Sequence, residues 1–168
     1  MAKAYYSTVL DYAADDVWAL VRDFNNYPRY IDGVDQSLIE EGRPGDSPGA
    51  IRRFRYGGTW IRQRLVAHSD SERSFTYAGL DPFPFPVATD GASAPAAIEY
   101  VGTLRITPVV DGGRSFVEWW IGFEGGAGER ERWENFLTGA ISQWLGSLRA
   151  HLPSGRASAS RANSPRQG

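Results

Sequence analysis

Between residues 34 and 124 the apolar side chains recur with a period of two, in short segments separated by turn-forming sequences. The segments are 34–41, 50–56, 59–68, 73–80, 98–107 and 115–124. Gly42-Arg43-Pro44-Gly45, Gly57-Gly58, Asp70-Ser71-Glu72 and Asp111-Gly112-Gly113 divide them, and these residue types favour tight turns. Connections this short cannot hold the crossover helix that parallel pairing needs, so the strands pair antiparallel. The stretch 81–97, DPFPFPVATDGASAPAA, is too rich in proline and small residues to form an element. An earlier segment, AYYSTVLDY, reads as a further strand and brings the expected sheet to seven.

Helical spacing appears in two places. AADDVWALVRDF puts Val17, Leu20, Val21 and Phe24 on one face, with Asp15 and Asp16 at the positive end of a short helix. NNYPRYIDGV adds a second helical turn around Pro28. At the other end, residues 130–152 carry Trp133, Phe136, Leu137, Ala140, Ile141, Trp144, Leu145, Leu148 and Leu152 as a broad apolar stripe. Acids near the start of this helix and Arg149 and His151 near its end suit its dipole, and Pro153 stops it. One interior must therefore serve seven strands, two short helices between the first two strands, and one long helix. The solution is an α+β domain over residues 1–152, a strongly curved antiparallel sheet wrapped around the C-terminal helix. Residues 153–168 have no large apolar side chain and are expected to form a disordered tail.

Several chemistries drop out on composition. The chain has no cysteine, which removes disulfides, thiolate catalysis and cysteine-ligated metals. Its two histidines, His68 and His151, form no metal constellation, no serine lies in a GxSxG elbow, and Gly125-Gly126-Ala127-Gly128 lacks the order of a phosphate loop. We expect no cofactor and no metal. The net charge of -2 includes arginines of the tail, so the domain is more acidic still and shows no phosphate-backbone footprint. No run is long enough to span a bilayer, and nothing at the start reads as a signal segment. The expectation is a cytoplasmic monomer or weak homodimer, with neither a nucleic-acid partner nor stable membrane insertion.

Alternation nominates an inner face. In segment 98–107, Arg105 should meet water, which turns Tyr100, Gly102, Leu104 and Ile106 inward. Segment 115–124 allows two readings: an inner face of Val117, Trp119, Ile121 and Phe123, or one of Phe116, Glu118, Trp120 and Gly122. In the second, Glu118 points into an aromatic pocket and needs a partner or a raised pKa. The arginines of segments 50–56 and 59–68 pose a similar question. Arg53 shares a face with Arg55, Arg62 shares one with Arg64, and Arg52 lies opposite with Phe54 and Tyr56. Either all of them line the solvated face, or one reaches inward to a buried carboxylate or a ligand acid.

The order of elements and several local strings resemble the START-like (SRPBCC) superfamily, and within it the bacterial polyketide cyclase/dehydrase and lipid transport branch. The strings are Val17-Trp18-Ala19-Leu20-Val21 with Asp23-Phe24 and Tyr27-Pro28, then Gly49-Ala50-Ile51-Arg52-Arg53, Pro84-Phe85-Pro86-Val87, Gly102-Thr103-Leu104 and Val117-Glu118-Trp119. The likeness covers roughly residues 3–152, with 88–97 as an added length of loop. It implies the helix-grip fold, with Trp133 through Leu152 as the cavity-capping helix. It also favours the face of the last strand that carries Glu118 and Trp120.

These readings converge on a cavity for a small hydrophobic ligand, lipid-like or aromatic, with binding or transport as the function. Its expected lining is Arg53, Arg64, Tyr77, Phe83, Phe85, Tyr100, Gly102, Leu104, Glu118, Trp120, Phe136, Ala140 and Trp144, reached between loop 82–86, turn 45–49 and the start of the last helix. Tyr27, Tyr30, Phe83 and Phe85 either gate this opening, or contact a partner there, or plug the open end of the sheet. The alternative function is a cyclase or dehydrase (aromatase) in which Glu118, Tyr100 or Arg64 moves protons or steadies an enolate. A third is an interaction module using the cavity mouth and the tail.

Overall fold

A computed structural model of the chain describes residues 1–86, 95–125 and 128–153. The strands are β1 (Ala2–Leu10), β2 (Val34–Glu40), β3 (Ile51–Tyr56), β4 (Thr59–Ser69), β5 (Ser74–Gly79), β6 (Ile98–Val109) and β7 (Arg114–Gly125). Helices α1 (Ala14–Val21) and α2 (Tyr27–Tyr30) follow β1, and α3 (Arg130–His151) closes the domain. All pairings are antiparallel, in the order β1-β7-β6-β5-β4-β3-β2. The first strand thus pairs with the last, and the sheet curls around α3 as the turn spacing requires. The expected tail beyond Pro153, most of the added loop 88–97, and Gly126 and Ala127 of the glycine link lie outside the described residues.

On α3, Trp133, Leu137, Ile141, Leu145 and Leu148 are buried at intervals of four and three, the spacing of one helix face. They meet Phe54, Leu65, Phe75, Leu104, Ile106, Val117, Trp119, Ile121 and Phe123 from the inner face of the sheet. Each such burial contributes about 1.5–3 kcal/mol before entropic costs. Ser147 is the polar member of the buried face. Its hydroxyl donates to the Tyr30 carbonyl at 2.7 Å and accepts the Asp32 amide at 2.9 Å, tying α2 to α3. Tyr27 and Tyr30 are both buried, so they plug the sheet rather than gate it.

Helix α1 stops at Val21, short of Phe24, because the Phe24 amide is bonded to the Gly45 carbonyl. Ion pairs dock the helix at both ends, Asp15 with Arg73 and Arg22 with Asp46 and Asp70. Asp70, in the β4–β5 turn, accepts from Trp18 Nε1 at 2.8 Å and from Arg22 Nε and Nη2 at 3.0 and 2.9 Å. The hydrogen bonds from Arg22, first, and Trp18 hold its carboxyl well below the usual carboxylate range. A depressed folded-state pKa adds stability above the unfolded value, and this is lost as pH falls through the folded one. Asp70→Asn should therefore lower the urea midpoint at neutral pH, with the gap to wild type narrowing as the pH falls below about 4. An equal gap at both ends of the titration would contradict this role.

Candidate functional site

The glycines on the inner face show how the site is made. A Cβ on Gly102 would sit 2.2 Å from Tyr77 Cζ, and one on Gly79 would sit 2.2 Å from Tyr100 Cε1. Tyr77 on β5 therefore lies across Gly102 of β6, and Tyr100 on β6 lies across Gly79 of β5. Gly102 leaves room for Tyr77, not for a ligand, and the expectation of open space there is corrected. Trp119 Nε1 donates to the Tyr77 hydroxyl at 2.9 Å, and Gln63 Nε2 donates to the Tyr100 hydroxyl at 3.0 Å.

Behind Gln63 stands the arginine that reaches inward. Arg52 is fully buried. Its Nε and Nη2 donate to Gln63 Oε1 at 3.0 and 2.6 Å, and Nη1 donates to the Phe24 carbonyl. Its guanidinium carbon lies 3.6 Å from the centre of the Tyr27 ring, 4.4 Å from that of Phe24, 5.2 Å from Tyr77 and 5.3 Å from Phe54. Guanidinium over aromatic faces is favourable, and more so when desolvated. No ion pair of Arg52 exists among the described residues, so the cation is held by rings and neutral oxygens alone. Because arginine can only donate, the Gln63 amide is oriented with its oxygen toward Arg52 and its NH₂ toward Tyr100. Burial pushes the Tyr77 hydroxyl well above its ordinary pKa and that of Tyr100 up to about 12, and it raises Tyr27 as well. All three are protonated at neutral pH.

Two spaces with shared bordering residues adjoin this cluster, and Tyr100 also borders a third, of about 330 Å³, with Asp81, Glu99 and Glu124. An inner chamber of about 50 Å³ is lined by Tyr27, Gln63, Tyr77, Tyr100 and Trp119 together with apolar side chains. An outer groove of about 750 Å³ runs between the β3–β4 turn, the proline loop and α3, along Phe85, Phe136 and Ala140. Tyr56, Ile61, Phe83, Leu137 and Trp144 border both. The proline loop is pinned there, since Phe83 exchanges two backbone hydrogen bonds with Ile98. The Phe85 ring lies 4.8 Å from that of Trp133 and 5.3 Å from that of Phe136. The groove is bordered by turn Gly57-Gly58 and Thr59 rather than by turn 45–49, whose glycines pack against Asp23 and Arg43.

Of the expected lining, Tyr77 and Tyr100 lie in the chamber, Phe83 and Trp144 on the border, and Phe85, Phe136 and Ala140 in the groove. The others lie elsewhere. Pairing along β1–β7–β6 runs without a register shift, so Val117, Trp119, Ile121 and Phe123 face the core. Glu118 points to the convex side, where it accepts from Tyr5 at 2.8 Å and from Arg105 at 3.0 Å. Trp120 is beside it, under Lys3 and Arg105. Arg53 and Arg64 are exposed on the same convex surface. Leu104 is solid core and borders neither space. Sequence reasoning missed Arg52 and Gln63 as site residues, although Arg52 was in phase with Phe54 and Tyr56, which was the available signal. Among the described residues no group of three or more histidines or carboxylates could hold a metal ion, and no helix is long and apolar enough to cross a membrane.

A family model described as polyketide cyclase/dehydrase and lipid transport matches residues 1–153. A solved structure from Nitrosospira multiformis is 28% identical, covering 90% of this chain and 97% of its own, with a TM-score of 0.71. The protein XoxI from Bacillus cereus is 26% identical over 90% of this chain and 96% of its own, with a TM-score of 0.72. The di-domain ARO/CYC BexL of the BE-7585A biosynthetic pathway shares the fold at 18% identity and a TM-score of 0.60, with 90% of this chain matching 45% of that one. Among curated proteins none matches.

The Tyr77–Gly102 contact yields a direct check. Gly102→Ala should destabilise the protein by about 1–3 kcal/mol through overpacking. In a Tyr77→Leu background the same change should cost clearly less, as read from a double-mutant cycle of urea midpoints. Additive effects would show that the tyrosine does not occupy this space.

Proposed function

This chain belongs to the polyketide cyclase/dehydrase and lipid transport family, and from that membership together with the groove and chamber we propose that it binds and carries a small, lipid-like or aromatic hydrophobic molecule. The observation that carries the reading is a large groove beside a small, mostly apolar chamber, the two sharing five bordering side chains and only a few polar groups. That is the composition of a small-molecule site. The ligand body would lie against Phe85, Phe136 and Trp144, with Ala140 as the small residue that leaves the groove deep.

Carriage fits better than proton-transfer catalysis. Among the described residues neither space is lined by a carboxylate, a histidine or a lysine. The ionisable groups present are tyrosines, and the three at the chamber end keep their protons at neutral pH, so they can donate a hydrogen bond but cannot serve as a base. Of the residues nominated for a cyclase mechanism, Glu118 and Arg64 are on the opposite side of the sheet, and Tyr100 is in the chamber with its proton held by burial.

The test fills the groove. Ala140→Trp should weaken binding of the neutral fluorophore N-phenyl-1-naphthylamine by about tenfold or more, corresponding to about 1.4 kcal/mol, while the thermal midpoint stays close to wild type. Undiminished binding in this variant would remove the groove from the site.

A further inference from the structure

The convex face of the sheet carries two like-charge pairs of opposite sign. Arg53 on β3 stands directly across from Arg62 on β4, and Glu99 on β6 directly across from Glu124 on β7. All four point outward, since their chain neighbours Arg52, Phe54, Gln63, Ile98 and Phe123 are buried. Strand β5 lies between the pairs and holds them in one row. The Leu80 amide bonds the Arg62 carbonyl on one side, and on the other Ala78 pairs with Val101, two residues from Glu99. Like charges directly opposite each other are destabilising. Local partners relieve this only in part. Glu40 pairs with Arg62 at 2.8 Å and acts on Arg53 at longer range, as Asp81 does on Arg62. Nearby, Asp35 pairs with Arg55 and Glu118 with Arg105, while Lys3 lies over the rings of Tyr5 and Trp120. Arg64, Glu99 and Glu124 have no hydrogen-bonding or ionic side-chain partner among the described residues.

We propose that this face binds a second copy of the chain, about a two-fold axis running along β5. Neighbouring strands lie about 4.8 Å apart, so β4 and β6 are equidistant from that axis, as are β3 and β7. Rotation about it sets Arg62 against Glu99 of the second copy and Arg53 against Glu124 of the second copy. The reciprocal contacts form in the same step, so the interface is isologous and closes at two chains. Arg64, in register with Ala78, then meets the depression of about 330 Å³ that Ala78, Val101, Gly122, Glu99 and Glu124 help to line. Small residues at 78 and 122 keep that depression open. A basic peptide would answer the acids and leave the arginines unmatched, whereas a second copy answers both. Convex faces touch over a limited area, and exposed ion pairs contribute up to about 1 kcal/mol each, so the dimer is a transient one. The contact is independent of what the groove holds.

Sedimentation velocity of the full chain tests this. At low salt and up to about 0.5 mM chain, dimer should exchange with monomer, and about 0.5 M salt should weaken it severalfold. Arg53→Glu and Glu124→Arg should each weaken self-association about tenfold or more, because each places two like-charge contacts across the interface. Each reversal also removes a like-charge pair within its own chain, so thermal midpoints should stay at or above that of wild type. Mixed in equal amounts, the two variants should recover dimer to near the wild-type level, since both contacts of the mixed dimer again join opposite charges. Within one chain these positions are four strands apart, about 19 Å, so the recovery has no intramolecular source. A wild-type chain that stays monomeric over this range would overturn the proposal. So would a dimer that survives either reversal intact, or a mixture of the two variants that remains monomeric.

Discussion

A guanidinium buried without a carboxylate sets the terms for the interior of this domain. Arg52 is paid for in neutral currency: four aromatic rings, the Phe24 carbonyl and the Gln63 amide. That arrangement fixes which way the Gln63 amide points and thereby presents an N–H to Tyr100. It also keeps Tyr27 against the cation, so that α2, which carries Tyr27, is held to the sheet through a ring and to α3 through Ser147. The inner face is therefore a core built around one charge.

The surrounding architecture supplies the asymmetry that makes this useful. Curling of the sheet brings β7 beside β1 and leaves α3 to close the open side. Along α3 the buried stripe is continuous; in the row beside it Trp144 meets Tyr56 and Trp119 of the sheet, while Phe136 packs against Phe85 of the proline loop, with Ala140 between them. The loop is held by Phe83 at Ile98 and by the Phe85–Trp133 contact, so the groove has a fixed wall on the side nearest the chamber. A small apolar chamber and a larger groove thus share a border of Tyr56, Ile61, Phe83, Leu137 and Trp144.

Much of the fold was legible in the sequence because its signals are local. Period-two runs cut by glycine-rich turns gave seven antiparallel strands, and the stripe from Trp133 to Leu152 marked the closing helix. The site was less legible because its decisive contacts join distant residues. Alternation alone placed Arg52 with Phe54 and Tyr56, yet nothing local told that its partner would be Gln63 on the next strand. Gly102 looked like space, and the space is filled by a tyrosine from β5. Strand β7 carries aromatics on both faces, and only unbroken pairing with β1 and β6 shows that Trp119 is inside and Trp120 outside. The resemblance favoured the Glu118 face. Here that face is a second amphipathic layer, in which Lys3, Tyr5 and Arg105 cover Trp120 and pair Glu118.

The central claim is that the groove under the proline loop, with the apolar chamber beside it, takes a small hydrophobic molecule. A crystal structure of the full chain with decan-1-ol bound tests it most directly. The account predicts the alkyl chain lying between Phe85 and Trp144, against Phe136 and Ala140. Decan-1-ol bound away from the groove altogether would contradict it.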